Sequence, residues 1–358
     1  MRGGNHLSGY TIGLMNSLFR SNLPQITFSR DVTTVTDVFS FITSSYYAVD
    51  CENRAQLQPA RYSMPVIRER VTVTVEKILL ATDFSAASEK AASYAKALAR
   101  RFSSEVKVAH VFNTSLVTAY EEALMGLPLD KKQRTTNERL ERLCNDFSMS
   151  GIESRAVSAE GHRPAAELLR IASEQKVDLI VLGTQSKTCA ERLILGSTAE
   201  QIIRNAECTV LTVGPKTKFV EDVPLVFRNI VYATDFTSSA KKAAIFALSF
   251  AEDSGAHLYL CHVIGPQDPT AAGQELSQNA FQSELKKMIP ESAYDWCDPE
   301  CVVEHGFAAK AILELAERVE ADLIVLGARK ASFVLAHIER GLTPELLAHA
   351  TCPVMTVC

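Results

Sequence analysis

The stretch "KILLATDFSAASEKAASYAKALA", residues 77–99, returns later in the chain as "NIVYATDFTSSAKKAAIFALSFA", residues 229–251. Each segment opens with a short apolar run and continues with alanines and larger apolar residues at helical spacing. This pattern predicts a buried strand that leads into a helix. The aspartates of the two segments, Asp83 and Asp235, stand 152 residues apart. Self-similarity at such a distance predicts two copies of one domain.

A second pair of matching segments shows how far the repeat extends. The segment "VDLIVLG" ends at Gly183 and "ADLIVLG" ends at Gly327, which is a distance of 144 residues instead of 152. The second copy is therefore shorter in its middle. We predict one domain over residues 76–214 and a second over residues 228–358. Residues 215–227 join the two, and their prolines and charges are typical of a linker.

Residues 1–74 take no part in the repeat. They are rich in Ser, Thr and aromatic residues, but their apolar positions show no clear period. Because the repeated unit is complete without them, we expect either a disordered extension or a stretch upstream of the true start, with Met64 as the initiator. A small cap on one of the domains is the alternative.

Short apolar runs alternate with helical patterns inside each copy. Uninterrupted apolar runs are typical of parallel strands that helices cover on both faces. With right-handed crossovers they predict an α/β fold in which each copy is a doubly wound, Rossmann-like domain with a five-stranded parallel sheet. Its ligand crevice lies at the carboxyl ends of the strands, where the strand order reverses. In the first copy we predict strands at residues 78–81, 106–111, 152–157, 179–182 and 210–213, and helices from Ser85, over 131–149, from Pro164 and from Ser197.

Composition argues against several classes of function. The chain has 358 residues, of which 47% are hydrophobic and 22% charged, and its net charge of −5 lacks the basic excess of nucleic-acid-binding proteins. No uncharged apolar run reaches the ~18 residues that indicate a membrane span, and no export signal is evident. Nine cysteines without metal-ligand spacing indicate reduced thiols in a cytoplasmic protein, and we expect no metal site.

The segment "ATDFS" at the end of the first strand contains the first candidate ligand-binding residues. Thr82 and Asp83 lie there at the predicted crevice. An aspartate in this place is suited to accept hydrogen bonds from a ribose or a base. The alternative is local, because Asp83 or Ser85 is equally suited to accept hydrogen bonds from the free amides of the helix that follows.

The loop after the fourth strand contains the second set of candidates. Gly183 ends the strand, and thirteen residues later Gly196 precedes the predicted helix. Ser197 and Thr198 follow it. Glycine lets backbone amides approach an anion, and a helix N-terminus adds free N–H groups and a favourable dipole. The alternative is a capping box, in which Ser197 and Glu200 satisfy the helix start without a ligand.

These segments, together with "HVF" and "CTVLTV", resemble the universal stress protein family, and the duplication resembles its tandem type. The resemblance covers about three quarters of the chain. It implies a Rossmann-like fold of the adenine nucleotide alpha hydrolase type, with ATP or AMP as the ligand and Mg²⁺ beside ATP. The implied nucleotide-binding residues are Ala81, Thr82, Asp83, Val111, Leu182, Gly183, Ser186, Gly196, Ser197 and Thr198.

The family resemblance also implies how the two copies meet. In the family, the last strands of two domains pair across a dimer. Residues 210–213 and 354–357 would then pair within this single chain and form an intramolecular pseudo-dimer. Such pairing covers two sheet edges that otherwise invite aggregation.

Ser186 departs from the pattern of the ATP-binding branch, which has a second glycine at that position. A serine weakens binding if the position needs a positive φ or a very close phosphate. The second copy departs further, with Lys330 at the corresponding position and its last glycine, Gly341, one residue too late. We therefore expect the nucleotide in the first copy. The alternative is a scaffold that binds a protein partner and no nucleotide.

Catalysis finds little support in the sequence. No phosphate loop of the GxxxxGK type, no GxSxG and no metal-binding helix motif is present, so we expect a role in the stress response with at most slow ATP hydrolysis. His110 and His262 lie inside strands, where we expect hydrogen-bonded core histidines and not general bases. A receiver-like phosphorylation switch shares the topology, but it needs clustered acids after the first strand and a lysine after the fifth, which neither copy has.

Overall fold

A computed structural model describes residues 73–113, 129–184, 196–218, 225–266, 274–327 and 342–358. Residues 1–72, which make up nearly all of the predicted extension, lie outside the described residues. The same holds for Ser186 and for Lys330 and Gly341 of the second copy.

The first copy alternates strands and helices as the sequence predicts. All five predicted strands are present, with bounds that differ by a few residues. The elements are β1 (Lys77–Ala81), α1 (Ala86–Phe102), β2 (Glu105–Asn113), α2 (Leu129–Met149), β3 (Ser154–Gly161), α3 (Pro164–Glu174), β4 (Leu179–Gly183), α4 (Ser197–Asn205) and β5 (Thr209–Val213).

The second copy repeats this order. A short 3-10 helix, Glu291–Asp295, is added before its third strand. The elements are β6 (Asn229–Ala233), α5 (Ser238–Ser254), β7 (His257–Ile264), α6 (Gln274–Lys287), β8 (Asp298–His305), α7 (Ala308–Arg318), β9 (Leu323–Gly327), α8 (Leu342–His349) and β10 (Val354–Val357).

The ten strands form one continuous sheet with the order β3-β2-β1-β4-β5-β10-β9-β6-β7-β8. Neighbouring strands are parallel within each copy, and the two copies meet where β5 and β10 run antiparallel. In the first copy the strand order reverses between β1 and β4, so the predicted crevice lies at the carboxyl ends of these two strands.

The pairing of the last strands, which the family resemblance implies, is present. In the register of β5 and β10, Val354 lies opposite Thr212 and Thr356 lies opposite Val210. The hydroxyl of Thr212 also donates to the carbonyl of Val354 at 2.9 Å. We call this antiparallel pairing the seam between the two copies. Because it is internal to the sheet, neither β5 nor β10 presents an open edge.

The hydrophobic core has two layers, one on each face of the sheet, and both layers extend through both copies. One layer joins Leu98 and Phe147 of the first copy to Phe250 and Leu285 of the second. The other layer contains residues of α3, α4, α7 and α8 from the two copies. Burial of apolar side chains therefore holds the halves together as one body and not as two separate cores.

Matching caps fix the start and end of the first helix of each copy. The hydroxyl of Ser85 accepts from the amide of Ser88 at 3.3 Å, and the hydroxyl of Thr237 accepts from the amide of Ala240 at 3.4 Å. At the other end Ser103 and Gly255 are both left-handed. These caps make α1 and α5 equal in length and set the turn that precedes each of them.

Candidate functional site

Thr82, directly after β1, is buried and serves the turn that follows it. Its amide donates to the carbonyl of Ala109 at 2.9 Å. Its hydroxyl accepts from the amide of Phe84 at 3.0 Å and donates to the hydroxyl of Ser88 at 3.2 Å. These bonds hold the start of α1 against the end of β1. The Thr82 side chain thus positions the turn, and its hydroxyl is already engaged.

Asp83 is exposed at the same turn. Its Oδ1 accepts from the amide of Ser85 at 2.9 Å, so the local role that we kept as the alternative for Asp83 and Ser85 is confirmed. Phe84 between them has a φ of 59°, in the left-handed region. The Oδ2 atom of Asp83 bonds none of the described residues. One carboxylate oxygen therefore supports the turn, and the side chain as a whole is exposed at the end of β1.

His110, on β2, is a hydrogen-bonded strand histidine, as predicted. Its Nδ1 lies 2.8 Å from the carbonyl oxygen of Thr82, and its ring lies 5.3 Å from that of Phe84. The second copy reproduces the arrangement, with His262 Nδ1 at 2.8 Å from the carbonyl oxygen of Thr234. Because a carbonyl only accepts, Nδ1 holds the hydrogen in both. The two histidines therefore tie β2 and β7 to the turns beside them.

Most of the predicted binding residues that lie on strands are buried in the core of the first domain. Ala81 lies between Ala109 on β2 and Leu182 on β4, because these are its partners in the parallel register. Ala81 and Leu182 are buried, whereas Val111 is half-buried on β2. The topology thus brings the ends of β1, β2 and β4 together as predicted.

Gly183 is required by the packing of α1. A Cβ placed on it would lie 2.6 Å from the carbonyl carbon of Ala87 and 2.8 Å from the amide nitrogen of Ser88. Gly327, its counterpart, meets the backbone of Ser239 and Ala240 in the same way. Real Cβ atoms do not approach backbone so closely, so any side chain here would push the helix away. The packing of α1 therefore explains why residue 183 is a glycine, whether or not a ligand binds nearby.

Gly196 closes the loop after β4 and precedes α4. Its amide donates to the carbonyl of Thr184 at 2.9 Å, which joins the two described ends of the loop. Its φ of −62° and ψ of 139° suit any residue, and an added Cβ would lie 3.4 Å from the Thr184 oxygen. In contrast to Gly183, this position tolerates a side chain in the folded structure.

The capping box proposed from Ser197 and Glu200 is wrong. Gly196 occupies the N-cap position, and Ser197 is already the first residue of the helix, so its hydroxyl is misplaced to cap it. The Glu200 carboxylate instead binds Arg204 one turn later at 2.8 Å. The first intrahelical bond runs from the Glu200 amide to the Gly196 carbonyl, at 3.0 Å. The amides of Ser197, Thr198 and Ala199 precede it and have no partner within the helix.

A cleft of about 390 Å³ opens between the starts of α3 and α4. Both helices point their N-termini towards it, and each N-terminus carries a partial positive charge. His162 and Arg163 are exposed there, and Arg163 makes no ion pair with the described residues. The arrangement suits a negatively charged ligand. Its lining residues are His162, Arg163, Pro164, Ala165, Ser197, Thr198 and Gln201.

The cleft includes only part of the predicted set. Ser197 and Thr198 line it, whereas Thr82, Asp83 and Val111 do not. Sequence reasoning did not include His162, Arg163 or Gln201 in the site. The available signal was topological: β3 is parallel to β4, so the helices that follow them start at the same edge of the sheet.

A model of one protein family matches most of the chain. The model that describes the universal stress protein family matches residues 74–214 and again residues 227–357. The chain belongs to the universal stress protein family. The resemblance of the repeated segments and the tandem arrangement are thereby confirmed.

Individual relatives match single universal stress protein domains. Universal stress protein MJ0531 of Methanocaldococcus jannaschii is 36% identical over 139 residues, which cover 38% of this chain and 81% of the relative. A putative universal stress protein of Staphylococcus haemolyticus is 29% identical over 166 residues, or 46% of this chain and 96% of the relative. Among solved structures, a universal stress protein of Archaeoglobus fulgidus has a TM-score of 0.59 at 21% identity, covering 79% of this chain and 96% of that one. This last likeness shows the shared fold.

The second universal stress protein domain does not reproduce the basic lining of the cleft. With the spacing of 144 residues, His162 and Arg163 correspond to Gly306 and Phe307, and Gln201 corresponds to Glu345. Phe307 is 73% exposed at the start of α7. At these three positions a glycine, a phenylalanine and a carboxylate supply none of the positive charge that Arg163 contributes in the first domain. The two domains therefore share a frame and differ in the chemistry at this edge.

The described parts of this universal stress protein contain no group of three or more His, Cys, Asp or Glu residues arranged to hold a metal ion. Within the same residues, no helix is both long and apolar enough to cross a membrane.

Proposed function

We propose that this universal stress protein binds an adenine nucleotide, ATP or AMP, in its first domain, and that binding changes its contact with a protein partner during stress. The observation that carries the proposal is the cleft between the starts of α3 and α4. It combines two helix N-termini with Arg163 and His162, and its lining residues Ser197 and Thr198 belong to the sequence segment that resembles the ATP-binding branch of the family.

The phosphates of the nucleotide belong at the start of α4 in this proposal. The helix does not use the amides of Ser197 and Thr198, and both residues line the cleft. Arg163 supplies a counter-charge from the start of α3, since guanidinium groups match phosphate geometry. Gly196 keeps the approach open because it carries no side chain. When ATP is the ligand, Mg²⁺ accompanies it as the counter-ion of its phosphates.

The ribose and base belong at the ends of β1 and β2. The Oδ2 atom of Asp83 is the acceptor that the turn leaves for a ribose hydroxyl, and Val111 offers a half-buried apolar surface to the base. Ala81, Leu182 and Gly183 form the floor, and Thr82 holds the turn in place. Ser186 stands between Gly183 and Gly196 in the sequence.

We assign no catalytic step to the site. The strand histidine His110 is bonded to the Thr82 carbonyl, and the residues around the cleft offer no arranged general base. Binding without rapid turnover follows, with at most slow ATP hydrolysis. The cytoplasm is the compartment that we propose, because no disulfide joins the seven cysteines that the structure describes.

Calorimetry on the full chain tests the proposal. ATP or AMP should bind with a stoichiometry of about one per chain, because Phe307 stands in the second domain at the position of Arg163. Gly196→Leu should abolish the heat of binding while the fold persists, because its backbone angles suit any residue. Gly265→Leu is the matched control, since nothing lies within 4 Å of an added Cβ there and its φ is not positive. Equal affinity of both variants would show that the site lies elsewhere.

A scaffold without nucleotide is the second candidate, and one observation favours it. The packing role of Gly183 and the histidine bond of His110 recur in the second domain, which has lost the phosphate loop. These features therefore belong to the frame and do not by themselves indicate a ligand. Absence of binding at millimolar ATP and AMP, together with retention of a protein partner, would establish this candidate instead.

A further inference from the structure

Two cysteines face each other across the seam between the copies. Cys208 directly precedes β5, and Cys358 directly follows β10. In the antiparallel register Thr356 lies opposite Val210. Continuing that register by two residues places Cys358 opposite Cys208.

Contacts of the side chains support this placement. The thiol of Cys358 donates to the carbonyl oxygen of Ala206 at 3.1 Å, two residues before Cys208 and on the other side of the seam. Burial and, to a smaller extent, the neighbouring thiol of Cys358 together raise the pKa of Cys208 to about 12. The Cys358 thiol therefore lies beside the segment that leads into Cys208, although the two cysteines belong to different copies.

The backbone distance across the seam suits a disulfide. Directly opposed residues of antiparallel strands have Cα atoms about 4.5 to 5.5 Å apart, and disulfides join Cα atoms about 4.4 to 6.8 Å apart. By contrast, Cys297 and Cys301 are four residues apart on or beside β8, so about 13 Å of extended chain separates them. Cys352, at the other end of the seam, lies opposite Gly214 in the same register and has no thiol across from it.

We propose that Cys208 and Cys358 form a reversible disulfide that locks the two universal stress protein domains together under oxidising conditions. A small-molecule disulfide such as oxidised glutathione is the oxidant. The thiolate of Cys358, the half-buried partner that directly follows β10, attacks it, forms a mixed disulfide and releases one glutathione thiolate. The thiolate of Cys208 then attacks the Cys358 sulfur and displaces the second. The protein loses two electrons and two protons to oxidised glutathione, which is thereby converted into two molecules of reduced glutathione.

The high pKa of Cys208 has a consequence for the rate of this reaction. Only a small fraction of such a thiol is ionised near neutral pH, and the thiolate is the form that attacks. Closure is therefore slow at pH 7 and faster in mildly alkaline solution. A disulfide that forms slowly accumulates during sustained oxidation and not during brief changes in the redox potential.

Peptide mapping of the full chain tests the proposal. The native protein is incubated with oxidised glutathione at pH 8, its remaining thiols are blocked with iodoacetamide, and it is digested with trypsin without reduction. Cleavage after Arg204, Lys216 and Arg340 gives peptides 205–216 and 341–358. The expected product is these two peptides joined through Cys208 and Cys358, with the mass of their sum less two hydrogen atoms and with a carbamidomethyl group added on Cys352.

Variants identify the pair, because peptide 341–358 contains both Cys352 and Cys358. Cys352→Ala should retain the joined peptide, and Cys358→Ala and Cys208→Ala should lose it. Oxidation should also raise the urea midpoint of the wild-type chain and leave that of Cys358→Ala unchanged, because closing so long a loop restricts the unfolded chain. The proposal fails if the wild-type chain gives no joined peptide, if the link persists in Cys358→Ala, or if it forms only between separate chains.

Discussion

Arg101 and Asp253 occupy equivalent positions in the two copies and bind each other. They are 152 residues apart, near the ends of α1 and α5, and the guanidinium of Arg101 contacts the carboxylate of Asp253 at 2.5 Å. The same guanidinium lies 4.6 Å above the ring of Phe250. A pseudo-twofold axis relates the two copies, and equivalent residues can touch each other only close to that axis. The contact between Arg101 and Asp253 therefore places the ends of α1 and α5 beside the axis.

Arg101→Ala should destabilise the chain by about 1–2 kcal/mol, because it removes both the ion pair and the contact with the aromatic ring. The Arg101 side chain is only 15% exposed, which limits screening by solvent. Urea denaturation gives the change in the free energy of unfolding. Arg142→Ala is the control, since the Arg142 side chain is 78% exposed in an ion pair within one helix. Equal effects of the two substitutions would contradict a role for the axis pair.

Gly183→Ala should destabilise the fold, whereas Gly196→Ala should not. The first places a methyl group against the backbone of Ala87, at a cost of about 2 kcal/mol or more. The second adds it at a permissive backbone position, with an expected change below about 1 kcal/mol. Thermal unfolding of both variants measures the difference. Gly327→Ala should behave like Gly183→Ala, and a neutral Gly183→Ala would show that the packing is looser than described.

Arg163→Ala should weaken ATP binding about tenfold or more, because a hydrogen bond to a charged group contributes about 1.5–3 kcal/mol. Calorimetry at two salt concentrations measures it, and the salt dependence should diminish with the loss of charge. Arg170→Ala is the matched control on the same helix, since Arg170 is already engaged by Glu167 and Glu174. Identical losses in the two variants would remove the argument for the cleft.

Stability should fall as the pH rises above 9. Burial raises the pKa of the Cys261 thiol from 9.0 to about 12. The folded chain keeps a proton that the unfolded chain releases, so this stabilisation is complete below pH 9 and is lost as the pH approaches 12. One proton corresponds to a slope of about 1.4 kcal/mol per pH unit at most. Cys261→Ala should flatten the dependence of the urea midpoint on pH. Val263→Ala, a truncation on the same strand without a titrating group, should leave the slope unchanged.

The repeat allowed most of the fold to be predicted from the sequence. Two copies of strand, turn and helix, with Asp83 and Asp235 at matching places, define the order of the elements and the carboxyl edge where a ligand belongs. The continuous core was not predictable from this pattern. A buried alanine or leucine shows that a helix packs, but it does not show whether the residues opposite belong to the same copy.

The candidate site was predicted less completely because its residues have two possible roles. Gly183 resembles a phosphate-binding glycine, yet the backbone of α1 requires it, and Gly327 had already indicated this by persisting in the copy without the loop. Ser197 resembles a capping serine, yet the N-cap lies one residue earlier. A shift of one residue at a helix start is beyond what a sequence pattern resolves. Phe307 stands at the position of Arg163 in the second copy, so a search for residues that recur in both copies does not find Arg163.

Both halves of the pseudo-dimer belong to one polypeptide, and they meet at the seam. When two identical chains associate, a substitution alters both subunits at once, and dilution separates them. In this protein the partner is covalently attached, so association is independent of concentration, and each half carries its own substitutions. Arg163 in one half and Phe307 in the other are an instance of this. Fusion thus permits a division of labour between halves that a homodimer has no means to encode.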